Sequence, residues 1–170
     1  MSPFVERMIR AAKLDVRLYE EVEADRTATL QSMMVIILSS VATGIGAARA
    51  GGIALLSGTI AALIGWLIWS YLVFFIGTKI LPERHTDADY GELLRTIGFA
   101  SSPGLIRILG IIPGLGWISS LAASIWMFMT MIIAVRQALD FKSTARAVGV
   151  CAIGGIVYIV TLSIFYGIIN

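Results

Sequence analysis

The feature that most constrains this chain is the absence of charge over four long stretches. Residues 27–49, 50–78, 96–135 and 147–170 together contain only two charged side chains, Arg49 and Arg107. A helix needs roughly 20 mainly apolar residues to cross about 30 Å of hydrocarbon, where every backbone polar group must be satisfied within the protein. These stretches are long enough to cross several times, so the sequence predicts an all-α, polytopic membrane bundle. Composition agrees, with 58% hydrophobic and 14% charged residues against about 45–50% and about 25% in soluble domains.

Five transmembrane helices are expected, at 30–48, 55–76, 93–112, 116–135 and 148–168, forming a membrane domain over 29–170 behind an N-terminal segment, 1–28. The third and fourth are the ambiguous pair, because 96–135 exceeds one crossing and Ile111-Ile112-Pro113-Gly114-Leu115-Gly116 supplies a turn inside it. Charge placement discriminates. With the N-terminus inside, Arg7, Arg10, Lys13, Arg17, Arg26, Lys79, Arg84, Arg95, Arg136, Lys142 and Arg146 are cytoplasmic, and only Arg49 and Arg107 are outside. Eleven against two is the asymmetry of the positive-inside rule. A single crossing over 96–135 would weaken it to eight against five, whereas two crossings or a re-entrant hairpin preserve it. The expected location is the inner or cytoplasmic membrane, with the C-terminus outside.

Eleven charges lie between Glu6 and Arg26, and the first apolar run has full transmembrane length, so no cleavable signal peptide is expected. Val5, Met8, Ile9, Ala12, Val16, Tyr19 and Val22 fall on one face of a helix. An N-terminal amphipathic helix is therefore expected, lying on the membrane surface or packing on the cytosolic ends of the bundle.

Arg107 is an intramembrane charge and so a functional candidate, although it lies about 9 Å from Pro113 along a helix and can snorkel to the headgroups. No Asp, Glu or His falls within the expected spans, which argues against a proton-coupled carrier. Ser39, Ser40, Ser57, Ser119, Ser120 and Ser124 have no histidine at membrane depth, so a Ser-His pair fails on position. The sole histidine, His85, sits in the loop 82–92 with Glu83, Asp87, Asp89 and Glu92. A metal is conceivable there, but Thr86 with Asp89, or Asp89 with Glu92, has the spacing of a helix capping box, which is the preferred reading. Cys151 stands alone and cannot form an intramolecular disulfide. No glycine-rich loop follows a strand and ends in Lys, so no nucleotide cofactor is expected, nor a nucleic-acid partner. Small residues crowd the spans, and Ala100 with Gly104 and Gly110 with Gly114 have the four-residue spacing that lets helices approach closely. Packing within the chain is the default reading, ahead of an oligomer interface or a substrate path.

The run Tyr90-Gly91-Glu92-Leu93-Leu94-Arg95-Thr96-Ile97-Gly98-Phe99-Ala100-Ser101-Ser102-Pro103-Gly104-Leu105 resembles the Ypt-interacting-protein (YIP) family of small five-span membrane proteins. The likeness continues through Pro113-Gly114, Trp126 and the basic exit at Arg136, and covers roughly 30–168. The resemblance implies, in eukaryotic members, a role in vesicle traffic through binding prenylated small GTPases and one another; an enzyme is not expected, for lack of a base or metal cluster within the membrane. This chain lacks the Asp-Leu-x-Gly-Pro motif of their long N-terminal region and has Phe99 where they have Tyr, a shape closer to the short prokaryotic branch. The expected function is a membrane scaffold or adaptor for protein partners or bilayer organisation, with membrane lipids and other membrane proteins, itself included, as partners. A small oligomeric channel or transporter is the alternative. Arg95, Gly98, Pro103, Arg107, Pro113 and Arg136 are the candidate interaction residues.

Overall fold

A computed structural model describes residues 2–46, 52–84, 86 and 88–169; Arg49, His85 and Asp87 lie outside them. The chain is all-α, and no strand occurs among the described residues. Two short helices, α1 (Pro3–Ala12) and α2 (Val16–Ala24), precede α3 (Ala28–Gly46) and α4 (Gly52–Phe75), and a π-helical turn, Ile76–Ile80, extends α4. Then come α5 (Tyr90–Ala100), a 3₁₀ segment (Ser102–Ile111), α6 (Gly116–Ala138) and α7 (Thr144–Ile169).

Four stretches, Ala28–Gly46, Leu55–Ile80, Gly116–Ala138 and Thr144–Thr161, are helices long and apolar enough to cross a membrane. Their outward faces are greasy: Ile53 is 87% exposed, Trp117 75%, and Leu56, Ile156 and Ile159 more than half. Water would penalise such a surface and hydrocarbon does not, so the chain is a multi-pass integral membrane protein.

The third expected span is not one helix. It is α5 followed by the 3₁₀ segment, together about 36 Å long at about 1.5 and 2.0 Å per residue. Three small-residue contacts pin it to α3. A methyl on Gly98 would overlap Ser32, one on Gly104 would overlap Ser39, and Gly46 approaches the backbone of Arg107 and Gly110. Residue numbers rise together on both sides, so this element runs parallel to α3 and along its whole length.

The N-terminal segment also departs from expectation. The chain breaks after Lys13, where Leu14 adopts φ +63 and the N–H of Asp15 bonds back to the Arg10 carbonyl at 3.1 Å. This C-cap turns one expected helix into a hairpin of two. Met8, Tyr19 and Val22 of the expected stripe are buried with Ala11 and Leu18, whereas Val5, Ile9 and Val16 remain exposed. The hairpin packs into one core cluster with Val35, Phe99, Ala100 and Ala134. A second cluster gathers the ends of α4, α6 and α7 around Ile76, Leu139, Phe141 and Val150, where Gly77 makes room for Leu139.

The loop before α5 follows the capping reading. The Asp89 carboxylate accepts from the N-terminal amides of α5 and the Glu92 carboxylate accepts from Asp89 N–H at 2.7 Å, a complete capping box. Glu83 accepts the amides of Lys142 (3.0 Å) and Ser143 (3.3 Å), and these amides, Lys142 first, hold its carboxyl below the usual range.

Candidate functional site

Pro103 decides the local geometry of the third element. It has no N–H, so the carbonyl of Phe99 loses its α-helical donor. The Ser102 hydroxyl donates to that carbonyl at 2.7 Å. The next carbonyl, Ala100, receives the Thr130 hydroxyl of α6 at 2.6 Å. A helix break at membrane depth is tolerated when neighbouring side chains satisfy the freed groups in this way. Beyond it the chain continues with three residues per turn, which eclipses positions three apart. Gly104, Arg107 and Gly110 therefore share the face turned to α3, and that explains the close passage at Ser39 and Gly46. The expected four-residue pairs do not form such a stripe: Ala100 lies before the break, and Gly114, at φ +86, makes the following turn.

The backbone of Arg107 faces α3, and its guanidinium reaches α6, where Nη2 donates to Ser124 Oγ at 3.1 Å. It has no acidic partner among the described residues. It also lines a cavity of about 460 Å³ between the helices. Arg107, Thr43, Ser40 and Gly58 contribute to one part of this wall, Ser39 and Ser101 come next, and Ile97, Met131, Trp66, Trp69 and Tyr158 complete it. The Tyr158 hydroxyl reaches over Gly65, where a methyl group would meet it at 2.9 Å. The Trp69 indole N–H is buried without a hydrogen-bond partner among the described residues, and its ring meets Tyr158 edge-on at 6.0 Å.

Arg95 performs a different task. It is only 5% exposed, and its Nε donates to the carbonyl of Val22 at 2.9 Å, while Nε and Nη2 both reach that of Glu23. A guanidinium on the last carbonyls of α2 satisfies acceptors that the helix leaves open and complements its dipole. Arg95 thus clasps the N-terminal hairpin to α5. The opposite end of the hairpin is held by Trp126, whose indole N–H donates to the Ala12 carbonyl at 2.7 Å. Trp126 lies ten residues from Gly116 and twelve from Ala138, about 15 and 18 Å at 1.5 Å per residue. The hairpin turn therefore sits halfway along α6.

Of the six residues singled out by sequence, Gly98, Pro103 and Arg107 belong to the third element's contacts with its neighbours, and Arg95 belongs to the hairpin clasp. Pro113 is exposed in the turn before α6. Arg136 closes the far end of α6, donating from Nε to the Phe141 carbonyl at 3.2 Å. Sequence reasoning missed Thr130, Ser101 and Tyr158, and took Trp66 and Trp69 for interface anchors or buried aromatics rather than the lining of a cavity. The spacing of Trp66 and Trp69, three residues apart on one helix face, was the only signal that could have joined any two of them.

The Yip1 domain family model matches residues 19–164. The chain belongs to the Yip1 domain family. No curated protein and no solved structure matches it. The matched region of this Yip1-domain protein opens within α2 and closes within α7, so it contains the Arg95 clasp, the Pro103 break and the cavity.

Proposed function

We propose that this Yip1-domain protein is a non-enzymatic membrane scaffold that organises the bilayer around it, with its basic end in the cytoplasm. The observation that carries the reading is the depth of the hairpin turn, set by the Trp126–Ala12 hydrogen bond. The hairpin adds two helices to the cytoplasmic half of the bundle and none to the other half, which makes the protein wider in the inner leaflet. It is also charged. Arg7 pairs with Glu21 and Asp25, and Arg10 with Asp15 and Glu21, at 2.7–2.9 Å. Lys13 and Arg17, beside the turn, have no acidic partner among the described residues. Charges held at such depth draw water and headgroups toward them and thin the bilayer locally, so anionic lipids are the natural ligands of Lys13 and Arg17.

The alternative of a channel or transporter draws on the cavity, which brings Ser39, Ser40, Ser101 and Arg107 into one wall. That wall ends around Trp69, eleven residues short of Ile80, or about 16 Å along the helix, which favours a pocket over a path. The test reconstitutes the full chain, and a variant lacking residues 1–25, into liposomes containing phosphatidylglycerol, and measures vesicle diameter by cryo-microscopy and solute flux in the same preparation. The full chain should shift vesicles to smaller diameters and the variant should not, with no flux from either. Equal diameters, or flux that needs the full chain, would overturn the proposal.

A further inference from the structure

We infer that the intramembrane cavity is a binding site for a single-chain anionic amphiphile, whose acid group meets Arg107 and whose chain lies toward Trp66 and Trp69. This stands apart from the reading of the hairpin. Sites for small molecules are concave, mostly apolar, roughly 300–1,000 Å³ in volume and furnished with a few placed polar groups. This cavity, about 460 Å³, has that character. At about 30 Å³ for each water-sized unit it holds about fifteen such units, room for one hydrocarbon chain.

Its polarity is graded along the bundle. Arg107 and Thr43 lie where α3 and the 3₁₀ segment approach their ends, and Trp66, Trp69 and Met131 lie several turns deeper. A guanidinium offers five donors, and Ser124 takes one. A cation in a low-dielectric wall with no carboxylate among the described residues attracts an anion strongly, and a bidentate carboxylate or phosphate fits its fork. At the deep end the unpartnered Trp69 N–H keeps the pocket from being wholly apolar. The mouth is permissive: a methyl on Gly58 meets nothing within 4 Å.

Trp66 and Trp69 provide the readout. In phosphatidylcholine nanodiscs, 9,10-dibromostearate should quench tryptophan fluorescence saturably and beyond the quenching by its methyl ester, which enters the bilayer without the charge. Arg107→Gln should raise the half-saturating concentration at least tenfold, and Gly58→Phe, which sets a ring at the mouth from a position where a Cβ meets nothing, should abolish the excess. Circular dichroism and thermal melting of both variants establish that they fold. Competition by oleate or by oleoyl lysophosphatidate supports the site and names its headgroup. Quenching that is equal for acid and ester, that survives Gly58→Phe, or that inorganic phosphate alone displaces, would overturn the inference.

Discussion

Pro103 removes a backbone donor from the middle of a membrane-buried segment, and two hydroxyls make that loss tolerable. Ser102 is adjacent in sequence, but Thr130 arrives from another helix, and its bond to the Ala100 carbonyl is the more exposed to mutation. Thr130→Val keeps the shape and deletes the donor, leaving a buried carbonyl unmatched at a cost of about 1–2 kcal/mol. Thr130→Ser should retain most of the stability. Thermal unfolding in detergent checks this, and a Val variant as stable as the Ser variant would mean that the Ala100 carbonyl does not depend on Thr130. Pro103 itself was legible in the sequence. Its partner was not, because nothing in the spacing of a uniformly apolar α6 says which hydroxyl faces which carbonyl.

At the scale of elements, the end of α2 meets the start of α5 and the end of α6, and acids converge there. Glu23 shares a recess with Glu20, Glu92, Gln137 and Asp140. Burial first, then the charges of Glu92 and Asp140, and finally Glu20 push its carboxyl from 4.5 up to about 7, with Arg95 opposing them. Between about pH 4.5 and 7 the folded protein therefore holds a proton that the unfolded chain has lost, so the contribution of Glu23 is fully present below about 4.5 and is lost as pH rises through about 7. Asp15, Glu21 and Asp25 act oppositely, since Arg10 for the first two and Thr27 for the third hold them below their ordinary values; their stabilisation is lost only at more acid pH. Asp140 sits at φ +52 after α6, a backbone conformation that Asn also tolerates. Asp140→Asn should flatten the loss of stability between pH 4.5 and 7 in detergent melts, and an unchanged slope would remove Asp140 from this account. The hairpin behind this recess was half legible. Its apolar offsets were visible, but they fit one continuous helix, and the break at Leu14 lies in Lys13-Leu14-Asp15, which carries neither Gly nor Pro to announce it.

At the scale of the whole molecule, the gaps in charge located the membrane segments well because hydrocarbon requires long uncharged helices. The same uniformity hid what happens inside them. Where lipid and core are both apolar, hydrophobic periodicity loses its phase, so the change from α5 to a 3₁₀ segment could not be read; the serines and Arg107 could be grouped as the lining of a path, but not the walls of Trp66, Trp69 and Tyr158 that complete the cavity with them. The structure bears on the ambiguous pair of spans through direction. Ser32, Ser39 and Gly46 of α3 meet Gly98, Gly104 and Gly110 in the same order, so the third element climbs beside α3 to its far end and does not turn back midway. If the basic end is cytoplasmic, as proposed above, Leu115 belongs outside, Lys142 inside and the C-terminus outside. Reporter fusions after Leu115, after Lys142 and at Asn170 should read outside, inside and outside. A fusion after Leu115 that reads inside would return the third and fourth elements to a re-entrant hairpin.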